Sequence, residues 1–379
     1  MRIGLVLDDT LDTPDGVQQY VLNVGQWLSE QGHEVHYLVG RTTRTDIANV
    51  HSLSRNLKVR FNGNRMSMPL PTSKKSLKQF LATHTFDILH VQVPYSPFMA
   101  GQLLKVTPMY TAVVGTFHIL PYSALVRAAN RGLAVLNARS GRRFDARIAV
   151  SEPARKFAEQ VYCYPAMTVV PNPVRLTQFE NVNSLDIAAK PLNIVFLGRL
   201  VERKGAQHLL EAVAYLRQEK LFTGNFKVKI GGKGELLSSL KTYVKDHELS
   251  EVVKFAGFID EAAKPGFLAQ ADIAVFPSTS GESFGIVLLE AMAAARGVVL
   301  GANNPGYTSV LGPLSPNQLF SAQDTPAFAQ KLVDYLANAS ARTAAAHQQK
   351  QYVQQFDIAV VGEQLVEIYS KALQSRSHS

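Results

Sequence analysis

The sequence holds a single cysteine, Cys163, so its 379 residues can close no internal disulfide, a usage that suits a reducing compartment. Long apolar runs are missing too: the most apolar stretch, residues 285–302, is interrupted by Glu290 and Arg296 and falls short of a membrane span. The opening MRIGLVLDDT has no apolar segment leading to a small-residue cleavage site, so no signal peptide is expected. A cytoplasmic protein, or a visitor to a membrane face, fits these absences. Gly232, Lys233 and Gly234 run into Glu235, Leu236 and Leu237, which leaves a dinucleotide fingerprint without its third glycine, and no G-x-x-x-x-G-K-[ST] occurs. H-E-x-x-H and C-x-x-C are also absent, which removes zinc peptidases of that type and dithiol redox proteins. No D-x-D pair is present to hold a metal on a nucleotide diphosphate.

Acidic residues are scarce in the first half. Net charge is +9, and Arg41, Arg44, Arg55, Lys58, Arg60, Arg65, Lys74, Lys75 and Lys78 face only Asp46 between them. A second basic run holds Arg127, Arg131, Arg139, Arg142, Arg143, Arg147, Arg155 and Lys156 against Asp145 and Glu152. Such faces attract anionic lipid headgroups or nucleic acid. With no helix-turn-helix, zinc finger or RNA-binding sheet motif, the anionic membrane surface is the preferred partner and nucleic acid is not expected. A solvated basic surface with no partner is the plain alternative.

What is present is an ordinary globular composition, 46% hydrophobic and 18% charged, long enough for two domains. The chain is organised around residues 271–297. An apolar run at 272–276 reads as a buried strand, Pro277 ends it, residues 278–281 form a polar loop, and a helix runs on to Gly297. A helix starting at the carboxyl end of a buried strand offers free amides and its positive dipole end to a phosphate group. Ser283, Phe284, Gly285 and Ile286 would supply those amides. Glu282 stands at the helix mouth and Glu290 eight positions on, about 12 Å away if the segment is fully helical. That spacing matches a sugar diphosphonucleoside from hexose to ribose. Glu290 lies among apolar residues, so its carboxylate needs partners, and ribose hydroxyls would suit it. Two ordinary helix carboxylates, one favoured by the dipole and one on the surface, are the alternative.

Taken in order, residues 3–7 form a strand, Gly16 opens a helix with Val17, Tyr20, Val21, Val24 and Leu28 on its apolar stripe, and residues 34–39 return as a strand. A glycine at position 16 lets the backbone approach a ligand closely. Strands are expected at 59–62, 88–91, 112–116, 146–150 and 167–170. Residues 76–82, between Lys74, Lys75 and Lys78, form a short basic amphipathic helix that could lie on a bilayer or serve as a crossover helix on the sheet. His118 ends the strand reading GTFH, where open α/β sheets place ligand groups. Pro171, Asn172 and Pro173 mark a boundary, so the domains are expected at 1–171 and 172–359. The pattern restarts with strands at 193–197, 227–230 and 253–256. Arg199 and Lys204, both following a strand end, are the cations available to neutralise a leaving pyrophosphate, which lessens the need for a divalent metal.

Gly16, His118, Gly198-Arg199, Arg203-Lys204-Gly205, Gly231-Gly232-Lys233-Gly234 and the E-x7-E pair Glu282 and Glu290 resemble the retaining GT-B glycosyltransferases of family four over nearly the whole chain. Asp15-Gly16-Val17-Gln18, GTFH and Ile148-Ala149-Val150-Ser151 look similar to the family's bacterial phosphatidylinositol mannosyltransferases. The resemblance implies an α/β fold of two Rossmann-like domains facing across a cleft, the final helix at about 360–373 crossing back so that 360–379 complete the first domain. It implies that the second domain binds the nucleotide sugar: Arg199 and Lys204 on the diphosphate, Glu290 on the ribose, Ile259 near the base, and Glu282 with the amides of Ser283, Phe284, Gly285 and Ile286 on the hexose and phosphate. His118 and Gly16 would reach the sugar and pyrophosphate from the first domain. GDP-mannose is the first expectation for the donor, with no tightly bound cofactor and no metal, and a phosphatidylinositol-type lipid at the inner membrane face for the acceptor.

The acceptor positions depart from the family pattern. A tyrosine in the first loop, an asparagine after the fourth strand, and a threonine and nearby lysine after GTFH are replaced by Asp9, Tyr95, Ile119 and Ser123, while Gln18 matches. Asp9, Gln18 and Tyr95 are therefore the expected acceptor contacts. Another hexose passed to a different lipid or glycan, and a catalytically silent sugar-nucleotide or lipid-binding protein, are the other readings.

Overall fold

The computed structural model describes residues 1–12, 15–61, 64–70, 72–92, 94, 96–121, 124–162, 167–180 and 191–377. The chain divides into two compact units, residues 1–173 with 358–379, and residues 174–357.

In the first unit β1 (Arg2–Leu7), α1 (Gly16–Glu30), β2 (Glu34–Val39) and β3 (Val50–Ser52) are followed by β4 (Asn56–Phe61), β5 (Asn64–Pro69) and α2 (Lys74–Thr83). Then come β6 (Ile88–Val91), α3 (Met99–Leu104), β7 (Ala112–Phe117), α4 (Ala124–Gly141), β8 (Ala146–Ala149), α5 (Glu152–Tyr162) and β9 (Thr168–Val169). Seven strands form one sheet in the order β3-β2-β1-β6-β7-β8-β9, every pairing parallel. β1 sits inside it, Ile3 opposite Val35 on one side and Ile88 on the other. Its unbroken apolar run follows from burial on both faces, the rule for parallel sheets.

One expected strand is corrected. The 59–62 segment does not join the parallel sheet: β4 pairs antiparallel with β5 in a separate two-stranded hairpin, and residue 62 lies outside the described residues. Short-range alternation marks a strand but carries no information on which sheet it joins. The helix expected at 76–82 is α2, and its apolar side is occupied. Leu77 and Leu81 are buried with Val6, Leu38 and Leu89, and Phe80 packs against them. The crossover reading therefore holds, while Lys74, Lys75 and Lys78 remain exposed.

In the second unit β10 (Leu192–Leu197), α6 (Ala206–Gln218), β11 (Phe226–Gly231), α7 (Leu237–Asp246), β12 (Val253–Gly257) and α8 (Lys264–Leu268) lead to β13 (Ile273–Phe276) and α9 (Ile286–Ala294). β14 (Val298–Ala302), α10 (Pro305–Leu311), β15 (Leu319–Phe320), α11 (Thr325–Leu336) and α12 (Ala339–Tyr352) complete it. Its six-stranded sheet runs β12-β11-β10-β13-β14-β15, again all parallel. The strand order reverses at β10 and β13, and in open α/β sheets ligands bind outside the carboxyl ends of strands at such a switch point.

The final helix, α13 (Ile358–Ser377), belongs to the first unit. A Cβ on its Gly362 would come within 2.5 Å of the Trp27 ring, so α1 and α13 approach as closely as a glycine allows. Farther along, the Tyr369 hydroxyl lies 2.7 Å from His90 Nδ1 in the core, and Arg376 Nε pairs with Asp145 at 2.7 Å. Buried polar groups of this kind need such partners.

Candidate active site

The loops after β10 and β13 lock together. Gly205, at φ 75, faces the carbonyl oxygen of Pro277 so closely that a Cβ would lie 2.0 Å from it. Across the same junction Thr279 N donates to Arg203 O at 2.9 Å, and Ser278 Oγ lies 2.9 Å from the same oxygen. Asn304 Nδ2 steadies the second loop by donating to Ser278 O at 2.8 Å. On the other side of β10, Gly232 at φ 139 would place a Cβ 1.9 Å from Gly198 O, so the glycine-rich turn after β11 is pressed against the Gly198-Arg199 turn. Only glycine serves at both positions.

This junction assembles a charge cluster. Lys204 Nζ donates to Glu282 Oε1 at 2.7 Å, Arg203 Nη1 at 3.0 Å and Ser278 Oγ at 2.9 Å. Burial pushes the Glu282 carboxyl up, but the charges of Lys204 and then Arg203 outweigh it and hold the group below its usual range. Burial, partly offset by Glu282, pulls Lys204 down, and Arg203 and Arg199 add to the pull. Arg199, Lys204 and Glu282 are thus gathered at one end of the sheet, with Arg203 as a cation that sequence reasoning quoted but gave no role. Three cations beside one carboxylate leave positive charge in excess, the condition for holding a diphosphate.

Two details of the helix-mouth expectation are corrected. α9 begins at Ile286, with Gly285 in the left-handed region at φ 110 as its N-cap, and it ends at Ala294 rather than Gly297. Of Ser283, Phe284, Gly285 and Ile286, only Ile286 is therefore helical, and Glu282 stands in the preceding loop, so the fully helical rise between Glu282 and Glu290 does not apply. A glycine that needs positive φ interrupts the helical run.

Glu290 is buried inside α9, where Lys264 Nζ donates to it at 2.6 Å; the same ammonium meets Glu261 at 2.6 Å. Burial pushes the Glu290 carboxyl up against the pull of Lys264. For Lys264 the charges of Glu290 and Glu261 outweigh burial, and its affinity for a proton rises. The lysine reports the ion pair and the carboxyl reports desolvation. Sequence reasoning missed Lys264: its signal was a carboxylate in apolar surroundings that required a partner, but a partner 26 residues away is not readable from spacing. Ile259 is half-buried beside Gly231, and next to it Lys233 Nζ lies 4.3 Å from the centroid of the Phe258 ring.

In the first unit Gly16 is exposed at the start of α1 and Gln18 is buried one turn in. Gln18 Nε2 donates to Asp9 Oδ2 at 3.1 Å, so two of the expected acceptor contacts meet. Desolvation pushes Asp9 up to about 6, and Asp8 beside it likewise to about 6, although Asp8 Oδ1 accepts from Ala100 N at 2.8 Å and Oδ2 from Ser96 Oγ. Tyr95 and Ser123 lie outside the described residues. His118 is buried, edge-on to the Tyr20 ring at 4.8 Å between centroids, with Nε2 2.9 Å from Gln92 Oε1. Burial pushes it down to about 3, so the ring is neutral. Among the described residues no group of three or more His, Cys, Asp or Glu side chains could hold a metal ion, and no helix is long and apolar enough to cross a membrane.

Two parallel doubly wound units with a cationic cluster at a strand-end switch point define a glycosyltransferase of the two-domain GT-B type. The family model described as Glycosyl transferases group 1 matches residues 177–355, and that of Glycosyltransferase Family 4 matches residues 14–178. The phosphatidyl-myo-inositol mannosyltransferase of Propionibacterium freudenreichii is 34% identical over 82% of this chain and 79% of its own. The protein of that name from Mycolicibacterium smegmatis is 29% identical over 97% of this chain and 93% of its own. Among solved structures, a sucrose-phosphate synthase from Thermosynechococcus elongatus superposes with a TM-score of 0.76 at 18% identity, covering 99% of this chain and 100% of that one. Anabaena HepE, solved in complex with UDP, gives 0.75 at 15% identity, covering 98% and 100%. The chain belongs to the family 4 glycosyltransferases.

Proposed function

We propose that this glycosyltransferase moves mannose from GDP-mannose, with retention at the anomeric carbon, to a phosphatidylinositol-type lipid at the inner face of the membrane. The observation that carries the donor half is the cluster in which Lys204 and Arg203 share Glu282 at 2.7 and 3.0 Å, with Arg199 close enough to bias Lys204. The mannosyl and lipid halves rest on the names of the relatives.

In this reading the residues up to Pro173, with α13, form the acceptor and membrane side, and the second unit binds the nucleotide sugar. Arg199 and Lys204 hold the diphosphate, Glu290 the ribose, Ile259 lies near the base, and Glu282 orients the hexose with the amides of Ser283, Phe284, Gly285 and Ile286. Gly16 and His118 serve the donor from the first unit, and Asp9, Gln18 and Tyr95 the acceptor. As the bond from the anomeric carbon to the phosphate oxygen breaks, charge builds on the diphosphate, where a preformed cationic cluster stabilises it more than it stabilises the intact donor. The acceptor hydroxyl bonds to the same face of the sugar and its proton passes to the departing phosphate oxygen, so neither a protein nucleophile nor a metal is required. A different, uncharged acceptor is the second reading. It is favoured by Asp9, which stands where the resemblance places a tyrosine, with the Asp8 carboxyl beside it at the end of β1.

A thermal-shift panel of GDP- and UDP-sugars tests the donor. GDP-mannose at a hundredfold excess over its dissociation constant should stabilise the second unit by about 2.7 kcal/mol. Stabilisation by UDP-sugars and none by GDP-mannose would refute the donor assignment.

A further inference from the structure

His118 is held by a partner whose own orientation is fixed. Gln92, fully buried at the end of β6, presents Oε1 to His118 Nε2 at 2.9 Å and Nε2 to the backbone carbonyl of His90 at 3.4 Å. Were the Gln92 amide turned over, two oxygens would face each other at that carbonyl, so the carbonyl decides which end of the amide meets the histidine. Oε1 accepts only. The hydrogen of the neutral imidazole must then sit on Nε2, and Nδ1 is left with a lone pair and no hydrogen bond among the described residues. His90 itself cannot shift easily: its Nδ1 lies 2.7 Å from the Tyr369 hydroxyl and its Nε2 2.6 Å from Thr116 Oγ1, both in the core. Tyr20 from α1 and His90 from β6 are the titratable groups that face His118, and neither brings a charge at neutral pH.

We propose that Gln92 is a positioning residue that fixes His118 as the Nε2–H tautomer, so that Nδ1 accepts a hydrogen bond from a hydroxyl of the transferred sugar and cannot donate one to the diphosphate. This rests on the reading that His118 reaches the donor.

Long-range proton–nitrogen NMR of the wild-type protein, with the His118 signals assigned by their loss in His118→Asn, should show a protonated Nε2 and an unprotonated Nδ1. The reverse pattern overturns the proposal. In Gln92→Glu a carboxylate replaces the amide oxygen and stabilises the imidazolium, whose Nδ1 then donates instead of accepting. The ratio of kcat/KM between variant and wild type, in which the titrations of Asp8 and Asp9 common to both cancel, should fall about tenfold as pH is lowered from 8 to 5. A ratio that stays constant overturns the role of Nδ1. Gln92→Leu, which releases the ring without adding charge, should lower kcat/KM independently of pH and mix the two tautomers in the spectrum. Should no nucleotide sugar be consumed at all, the glycosyl-transfer reading fails, while the wild-type spectrum still decides the tautomer that Gln92 imposes.

Discussion

Lys264→Met isolates the ion pair that sequence reasoning did not anticipate. The ammonium and the Glu290 carboxylate are 2.6 Å apart with side-chain exposures of 9% and 10%. At an effective dielectric constant of about 20, two unit charges near 4 Å attract by about 4 kcal/mol, and removing one partner of a buried pair costs roughly 3–5 kcal/mol because the other is stranded. Glu261, 53% exposed, adds little to this and is left out of the sum. The loss should depend on pH with a definite sign. Without Lys264, burial alone acts on Glu290, whose folded pKa, already above the usual value, rises further. A carboxyl whose folded pKa exceeds its unfolded one contributes stability that is fully present below the unfolded pKa and is lost as pH rises through the folded one. The variant should therefore lie near wild type at pH 4 and fall farthest behind at pH 7 to 8. Urea unfolding followed by far-ultraviolet circular dichroism is the assay, since the one tryptophan, Trp27, sits in the first unit and Lys264 in the second. Lys264→Met with Glu290→Leu removes both charges and should recover most of the stability and abolish the pH dependence of the deficit. A deficit under about 1 kcal/mol at pH 7, or one equal at pH 4 and pH 8, would show that the pair does not hold Glu290 ionised.

Glu282→Gln keeps the shape and an oxygen for Ser278 and Lys204 but removes the charge that Lys204 and Arg203 share, so it should lower transfer by about a hundredfold or more and lower the melting temperature less than Glu282→Ala does. Glu282→Ala strands Lys204 and Arg203 and should unfold on the order of 3 kcal/mol more easily; full turnover by the glutamine variant would remove Glu282 from the chemistry. Neutralising Lys74, Lys75 and Lys78 should weaken sedimentation with anionic vesicles by up to about a hundredfold at low salt, at about 1 kcal/mol per lysine. Because Leu77 and Leu81 are buried in the sheet's own core, that binding should vanish at high salt, and binding that persists there would point to insertion of an apolar surface instead.

What the sequence by itself determined is the set of features written in neighbouring residues. Buried parallel strands show as apolar runs at Ile3, Ile88, Ile194 and Ile273, interrupted only by His90, and each helix that follows announces its period, so the two doubly wound sheets were legible. The strand-end positions of Arg199, Lys204, Glu282 and His118 were legible for the same reason, because the end of a strand is a local event. Only the tertiary structure decided who pairs with whom. Lys264 reaches Glu290 across 26 positions, Arg203 reaches Glu282 across 79, and Tyr369 reaches His90 across 279. It also decided that α2 spends its apolar side on the sheet and that β4 leaves the sheet for a hairpin. A pairing energy depends on distances and burial set by the whole packed core, and periodicity along the chain, which fixes the faces of an element, carries no term for what another element brings to that face.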